Sequence, residues 1–120
     1  MPGAWMRLLR SGRMPWIEGK GYQKRPLLLE EELGVKGSFI QEVSFVPGES
    51  VPLHYHKRTR EVFIALDHAV FQINGEQITM EPMDVLICEP GDVHGNPIIE
   101  QRSRILVIKQ SLEPDDTVWL

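Results

Sequence analysis

The chain has a single cysteine, Cys88. No intramolecular disulfide can form, so nothing here demands an oxidising compartment. Also missing is any apolar run approaching the roughly 18 residues that a membrane-crossing helix needs, and no membrane partner is expected. The opening stretch, "MPGAWMRLLRSGRMPW", lacks the apolar centre of about 7–15 residues that marks a secretory leader. The expected location is therefore the cytoplasm. A basic excess is absent too: the formal net charge is -4 and the isoelectric point about 5.5. That balance argues against nucleic acid, whose binders carry a basic stripe. Lys57, Arg58 and Arg60 form one basic cluster, and Arg7, Arg10 and Arg13 another; both read as solvated turns or edges.

Helical periodicity is nearly absent. Its best candidate is "LLLEEELG" at 27–34, which reads either as one helical turn ending at Gly34 or as a strand running into a turn. No internal repeat, linker or low-complexity tract interrupts the chain. No Ser-His-Asp or Cys-His nucleophile arrangement is visible. "GKGYQKR" at 19–25 lacks both the spacing of a phosphate loop and a strand before it.

What the chain does have is short strands and turn residues. A length of 120 residues with 42% hydrophobic content suits one domain with a real core. Strand chemistry appears at about 38–46, 51–56, 60–66, 69–73 and 76–80, then in "DVLIC", "DVHGNPIIE" and "SRILVIKQSL". Pro47-Gly48, Asn74-Gly75 and Pro90-Gly91 punctuate them, Asn-Gly being the signal of a tight hairpin. Many short strands at this spacing predict an all-β sandwich or barrel. Residues 1–25 hold two of the three tryptophans and three of the five methionines. That is too apolar for a discarded tail, and an added strand or a subunit contact is expected. The end of the chain, "EPDDTVWL", is acidic and then apolar, and either packs back or frays.

Three of the four histidines fall into one pattern. His54 and His56 stand two apart in a strand, so both side chains project to the same side. Neutral imidazoles so placed can grip one zinc, copper, iron or nickel ion. Glu61 follows the loop "KRTR". If its strand pairs antiparallel with the first, Glu61 returns close to the histidines and completes a facial metal-binding set. His94 follows the Pro90-Gly91 turn and is the natural fourth ligand. Phe63 and Ala65 share the parity of Glu61 and should line the interior near the metal. Phe39, Gln41, Val43 and Phe45 share a face whose direction the sequence leaves open. His68 reads as filling a surface turn, and Cys88 as a small buried core residue.

The run Gly48–x5–His54–x–His56–x4–Glu61 resembles the first signature of the cupin superfamily. The resemblance covers about residues 38–110. It implies a single-domain cupin jelly-roll β-barrel over residues 26–112, with an N-terminal extension at 1–25 and a tail at 113–120. It further implies that His54, His56 and Glu61 are the first-motif ligands and His94 the second-motif ligand. The ion would be a divalent transition metal (Fe, Mn, Zn, Ni or Cu), and the partner a small-molecule ligand or substrate. The chemistry would be dioxygenase-like, isomerase-like or decarboxylase-like, or else simple binding without turnover; Glu61 would either ligate the metal or act as acid/base. A homodimer, formed through the N-terminal region, is expected. The chain departs from the family pattern at four places. His68 and Met83 stand where the motifs carry glycine, Glu89 stands where the second carries proline, with Pro90 beside it, and Ile98 replaces its final asparagine, with Asn96 nearby. None of these touches the four ligands.

Overall fold

The computed structural model describes residues 6–120. The first five residues of the expected extension, Trp5 among them, lie outside the described residues. Eleven strands follow a short 3-10 turn: β1 (Ile17–Glu18), β2 (Tyr22–Leu28), β3 (Phe39–Phe45), β4 (Val51–His56), β5 (Arg60–Ala65), β6 (Ala69–Ile73), β7 (Glu76–Met80), β8 (Val85–Cys88), β9 (His94–Asn96), β10 (Ser103–Gln110) and β11 (Thr117–Trp119). Among the described residues one α-helical turn, α1 (Glu30–Leu33), follows β2, so "LLLEEELG" is both a strand end and a helical turn. Gly34 closes that turn in the left-handed conformation, φ 71°, which a residue without Cβ adopts freely.

The strands form two antiparallel sheets. One has the order β1-β2-β3-β10-β5-β8 and the other β11-β4-β9-β6-β7. They face each other as an all-β jelly roll, and the alternation along each strand sends every second side chain into the space between. Across the larger sheet the register sets rows of inward residues: Val43, Ile105 and Ala65 share one row, and Gln41, Val107 and Phe63 the next. The next row toward one end is Phe39, Lys109 and Glu61. The open direction of the β3 face is thereby settled, with Gln41, Val43 and Phe45 pointing inward and buried. The core gathers Val43, Phe45, Phe63, Ala65, Phe71, Met80, Cys88, Ile105 and Val107. Phe63 stacks on Phe71 and Phe45 meets Phe71 edge-on. Truncating a buried aromatic of this kind costs about 3–5 kcal/mol.

The turns behave as their residues dictate. Asn74 and Gly75 both have positive φ, the requirement of a two-residue type I′ hairpin between β6 and β7. Met83 adopts φ 74° at an exposed turn before β8, a conformation that favours glycine. The extension contributes β1 and β2, and β2 pairs along β3, running through residues 22–28.

One expectation is corrected. β5 does not pair with β4. It pairs with β10 and β8 in the larger sheet, whereas β4 lies between β11 and β9 in the smaller one. The loop Lys57–Thr59 is a corner that carries the chain from one sheet to the other. Asp116 holds that corner: its carboxylate accepts from the backbone N–H groups of Arg58 and Thr59, and its carbonyl from that of Lys57. Each of these satisfies a donor that neither sheet can reach. Glu61 therefore meets the histidines across the interior and not from a neighbouring strand.

Candidate metal centre

Three strands deliver four side chains to one place. β4 carries His54 and His56, β9 carries His94 directly opposite His54, and β5 faces them with Glu61. All four are buried. One nitrogen from each histidine lies within 4.8 Å of the others. Glu61 Oε1 is 2.7 Å from His56 Nε2 and 3.1 Å from His94 Nε2. The sequence-predicted set is thus brought together whole. His68 stands apart, exposed between β5 and β6 and in contact with Glu81.

Local backbone features aim the rings. Pro52 has no N–H to give the β4–β9 ladder, and the register shifts between Val51 and His54. The Pro52 carbonyl, freed there, accepts from His54 Nδ1 at 2.8 Å. The Asp92 carbonyl accepts from His94 Nδ1 at the same distance, 2.8 Å. His56 Nδ1 lies 3.1 Å from the Thr117 hydroxyl on β11. With Nδ1 occupied from outside, Nε2 is the nitrogen each ring turns inward, the arrangement that outer partners impose on metal-ligating histidines. Between His94 and Asn96, Gly95 is a matter of space: a Cβ there would stand 2.5 Å from the Val51 carbonyl oxygen. Only glycine lets β9 approach β4 this closely.

The charges follow from burial and contact. Burial pushes His54 down to about 4, with His94 and His56 adding to the effect against the hydrogen bond to Pro52. For Glu61, burial alone would raise the carboxyl; His56 and His94 outweigh it and hold the group well below the usual carboxylate range. His94 is opposed by burial but raised on balance, because both its ring nitrogens face acceptors, Glu61 and the Asp92 carbonyl. Cys88 lies beside Glu61 on β8; burial above all, then that carboxylate, pushes its thiol up to about 12. It stays a thiol, as a core residue should.

A divalent transition metal fits this set. Three inward imidazoles and one ionised carboxylate are the donors such ions take. His56 Nε2 is buried and, despite its approach to Glu61, out of line for a hydrogen bond; among the described residues it is the buried side-chain polar atom left unpartnered. An orphan of this kind is costly unless something binds it.

The four side chains open onto a cavity of about 290 Å³. Its apolar wall includes Phe45, Phe63, Phe71 and Val107, as the parity of Phe63 predicted. Two contributions were not legible in the sequence. β11 packs back on β4, bringing Thr117 to His56 and Trp119 to within 4.5 Å of His54, ring centre to ring centre. The strand-like "TVW" was the available signal, but its partner strand was not. Lys24 and Lys109 also line the cavity. Lys109 sits in direct register with Glu61, its Nζ 3.9 Å from Oε2.

Comparison with known proteins agrees with this architecture. Residues 41–108 match the model of the family described as Cupin domain. The tetracenomycin polyketide synthase protein TcmJ of Streptomyces glaucescens is 29% identical over 87 residues, which are 72% of this chain and 56% of that protein. The chain thus spans little more than half the length of that relative. The oxalate-binding protein of Thermotoga maritima is 30% identical over 97 residues, 75% of this chain and 80% of that one. Among solved structures, a predicted oxalate decarboxylase from Thermotoga maritima superposes with a TM-score of 0.74 at 21% identity, covering 87% of this chain and 98% of the other. Among the described residues, no helix is long and apolar enough to cross a membrane.

Proposed function

The chain belongs to the cupin domain family, and from that premise we propose that it is a metal-dependent enzyme acting on a small molecule. The observation that carries this reading is the convergence of His54, His56, Glu61 and His94, from three strands of two sheets, on one cavity with a partly apolar wall. The three histidines and Glu61 would hold the ion, which when bound supplies Lewis-acid or redox chemistry. Thr117 and the carbonyls of Pro52 and Asp92 orient the rings. Phe63, Phe71 and the wall around them exclude water, and the ion would serve as one polar anchor for a ligand. Glu61, ionised and within reach of two imidazoles, is also placed to take or hold a proton. The similarity to a polyketide synthase protein supports turnover of a small organic molecule.

A second reading, binding without turnover, is favoured by the relative named as an oxalate-binding protein. Metal analysis of protein purified without added metal, followed by His54→Ala and His94→Ala, tests the site. About one equivalent is expected in the parent, given one complete ligand set, and a small fraction of that in each variant; full occupancy in both variants would sink the ligand assignment. Oxygen consumption by the iron- or manganese-loaded protein, against a panel of phenols, diketones and thiols, then separates the two readings. No consumption with any of them favours binding or non-oxidative chemistry. The exposed apolar residues Met6, Leu8, Leu9 and Ile17 support, as part of the same proposal, a subunit contact made by the N-terminal region.

A further inference from the structure

The cavity opposes the molecule around it in sign. The chain carries a net charge of -4, yet among the described residues lining the cavity there are two lysines, Lys24 and Lys109, and one carboxylate, Glu61. That carboxylate is already shared between His56 and His94. Lys109 approaches its second oxygen only to 3.9 Å, with the lysine side chain mostly buried. Lys24 has no carboxylate within salt-bridge distance among the described residues. Alternation along β2 sends Lys24 inward and its neighbour Arg25 to the other face, where Arg25 takes Glu42 at 2.7 Å. Burial, and then the like charge of Lys109, push the Lys24 amine below its ordinary value, as expected of two cations sharing one wall.

Neutral donors stand beside the two ammonium groups. Gln41 is 5% exposed, lines the same wall from β3 and makes no side-chain hydrogen bond among the described residues. Its amide opens onto the cavity, where a bound ligand can meet it. Tyr22, on the same strand as Lys24, has its phenol raised by burial and by Glu61, so it stays a donor. Donors predominate on this wall, which suits an acceptor group and not a second cation. A divalent ion among the histidines would make the excess of positive charge larger.

We propose that the ligand of this cavity is an anion: a small carboxylic acid whose carboxylate binds between Lys24 and Lys109, hydrogen-bonded by Gln41 and Tyr22. Lys109 lies against Glu61, so the ligand's carboxylate sits beside the histidine cluster and the rest of the molecule extends along the apolar wall. This rests on the reading of the cavity as a small-molecule site. It adds the chemical class of the ligand and the residues that recognise it. Charge-assisted hydrogen bonds in a half-buried cleft are strong enough to discriminate, because the local dielectric is low.

The test is calorimetric titration at pH 7 with carboxylates of two to ten carbons, each paired with its primary amide, a neutral molecule of nearly the same shape. Both zinc-loaded and metal-free protein are titrated. The expected result is that at least one acid binds ten-fold or more tightly than its amide. Lys24→Met and Lys109→Met should each reduce that preference to about two-fold or less, Lys24→Arg should keep it, and both Lys24 variants should retain the parent's zinc content. Gln41→Glu, which adds a carboxylate to the wall, should abolish acid binding even if a lysine variant folds poorly. The proposal is overturned if no acid in the series binds, if acid and amide bind alike in the parent, or if the preference survives in both methionine variants. A parent that takes up none of iron, manganese, zinc, nickel or copper but keeps the lysine-dependent preference would overturn the metal reading and leave this one standing.

Discussion

Glu61 meets His56 and His94 inside the cavity, and Glu81 meets His68 at the surface. The chemical groups are the same. Their surroundings are not: the side chains of His68 and Glu81 are 62% and 60% exposed, whereas those of Glu61 and His94 are 7% and 4%. Water screens the outer pair, and such contacts contribute roughly 0–1 kcal/mol. The inner groups have lost their water and depend on one another. The inner site also has supports the outer pair lacks, in two carbonyls and a hydroxyl that fix the rings from behind. The difference teaches that a histidine–carboxylate contact is informative here only where burial and outer partners accompany it.

The largest expected effect comes from acid, because protons compete with the ion for the same nitrogens. His54 is depressed to about 4 in the folded chain, so between about pH 6.5 and 4 the unfolded chain takes up a proton that the folded one refuses. The metal-free fold then loses on the order of 2–3 kcal/mol as pH falls through that window. Glu61, held low, adds a loss in the same direction at more acid pH. His94, held high, has the opposite sign: its contribution is complete below about 6.5 and fades as pH rises through its folded value. The melting temperature of the metal-free protein should therefore peak near pH 6.5 and fall on both sides. Zinc should raise it most at pH 7–8, with the two curves converging near pH 4. Differential scanning calorimetry with and without zinc measures this, and a zinc increment independent of pH would contradict it.

A smaller effect is expected at the support behind His56. Thr117→Val keeps the shape of the side chain and removes its hydroxyl. Metal affinity should fall about 10–100-fold, measured by competition with a chelator, while the melting temperature of the metal-free protein changes little. Unchanged affinity would mean that Thr117 does not orient the ring. The smallest effect is at the surface. His68→Ala should leave zinc content at the parent value and stability within about 0.5 kcal/mol, as read from urea denaturation; a loss of metal would erase the distinction between the two regions.

Much of the fold was legible because it is written in local chemistry. The alternation of β4 and β5, the Asn74-Gly75 hairpin and the Pro-Gly turns each follow from a few neighbouring residues. The four candidate ligands were legible because their types and spacing are unusual in so short a stretch. Pairing between distant strands was not. The sequence suggested β4 beside β5, but a corner held by Asp116, over fifty residues later, sends β5 to the opposite sheet. For the same reason Thr117, Trp119, Lys24 and Lys109 escaped notice, since each faces the cavity by virtue of a partner strand far away in sequence.

Gly95 bears on how such a site can change. It stands between His94, a candidate ligand, and Asn96, whose side chain donates to the Val70 carbonyl. A methyl group at Gly95 would collide with the backbone of β4. A redesign that exchanges donors can vary the side chains at 54, 56, 61 and 94, because three separate strands deliver them. It cannot slide β9 to make room, so the spacing between donors is the inherited quantity and their identity the adjustable one. Libraries built on this scaffold should randomise around that glycine and leave it alone.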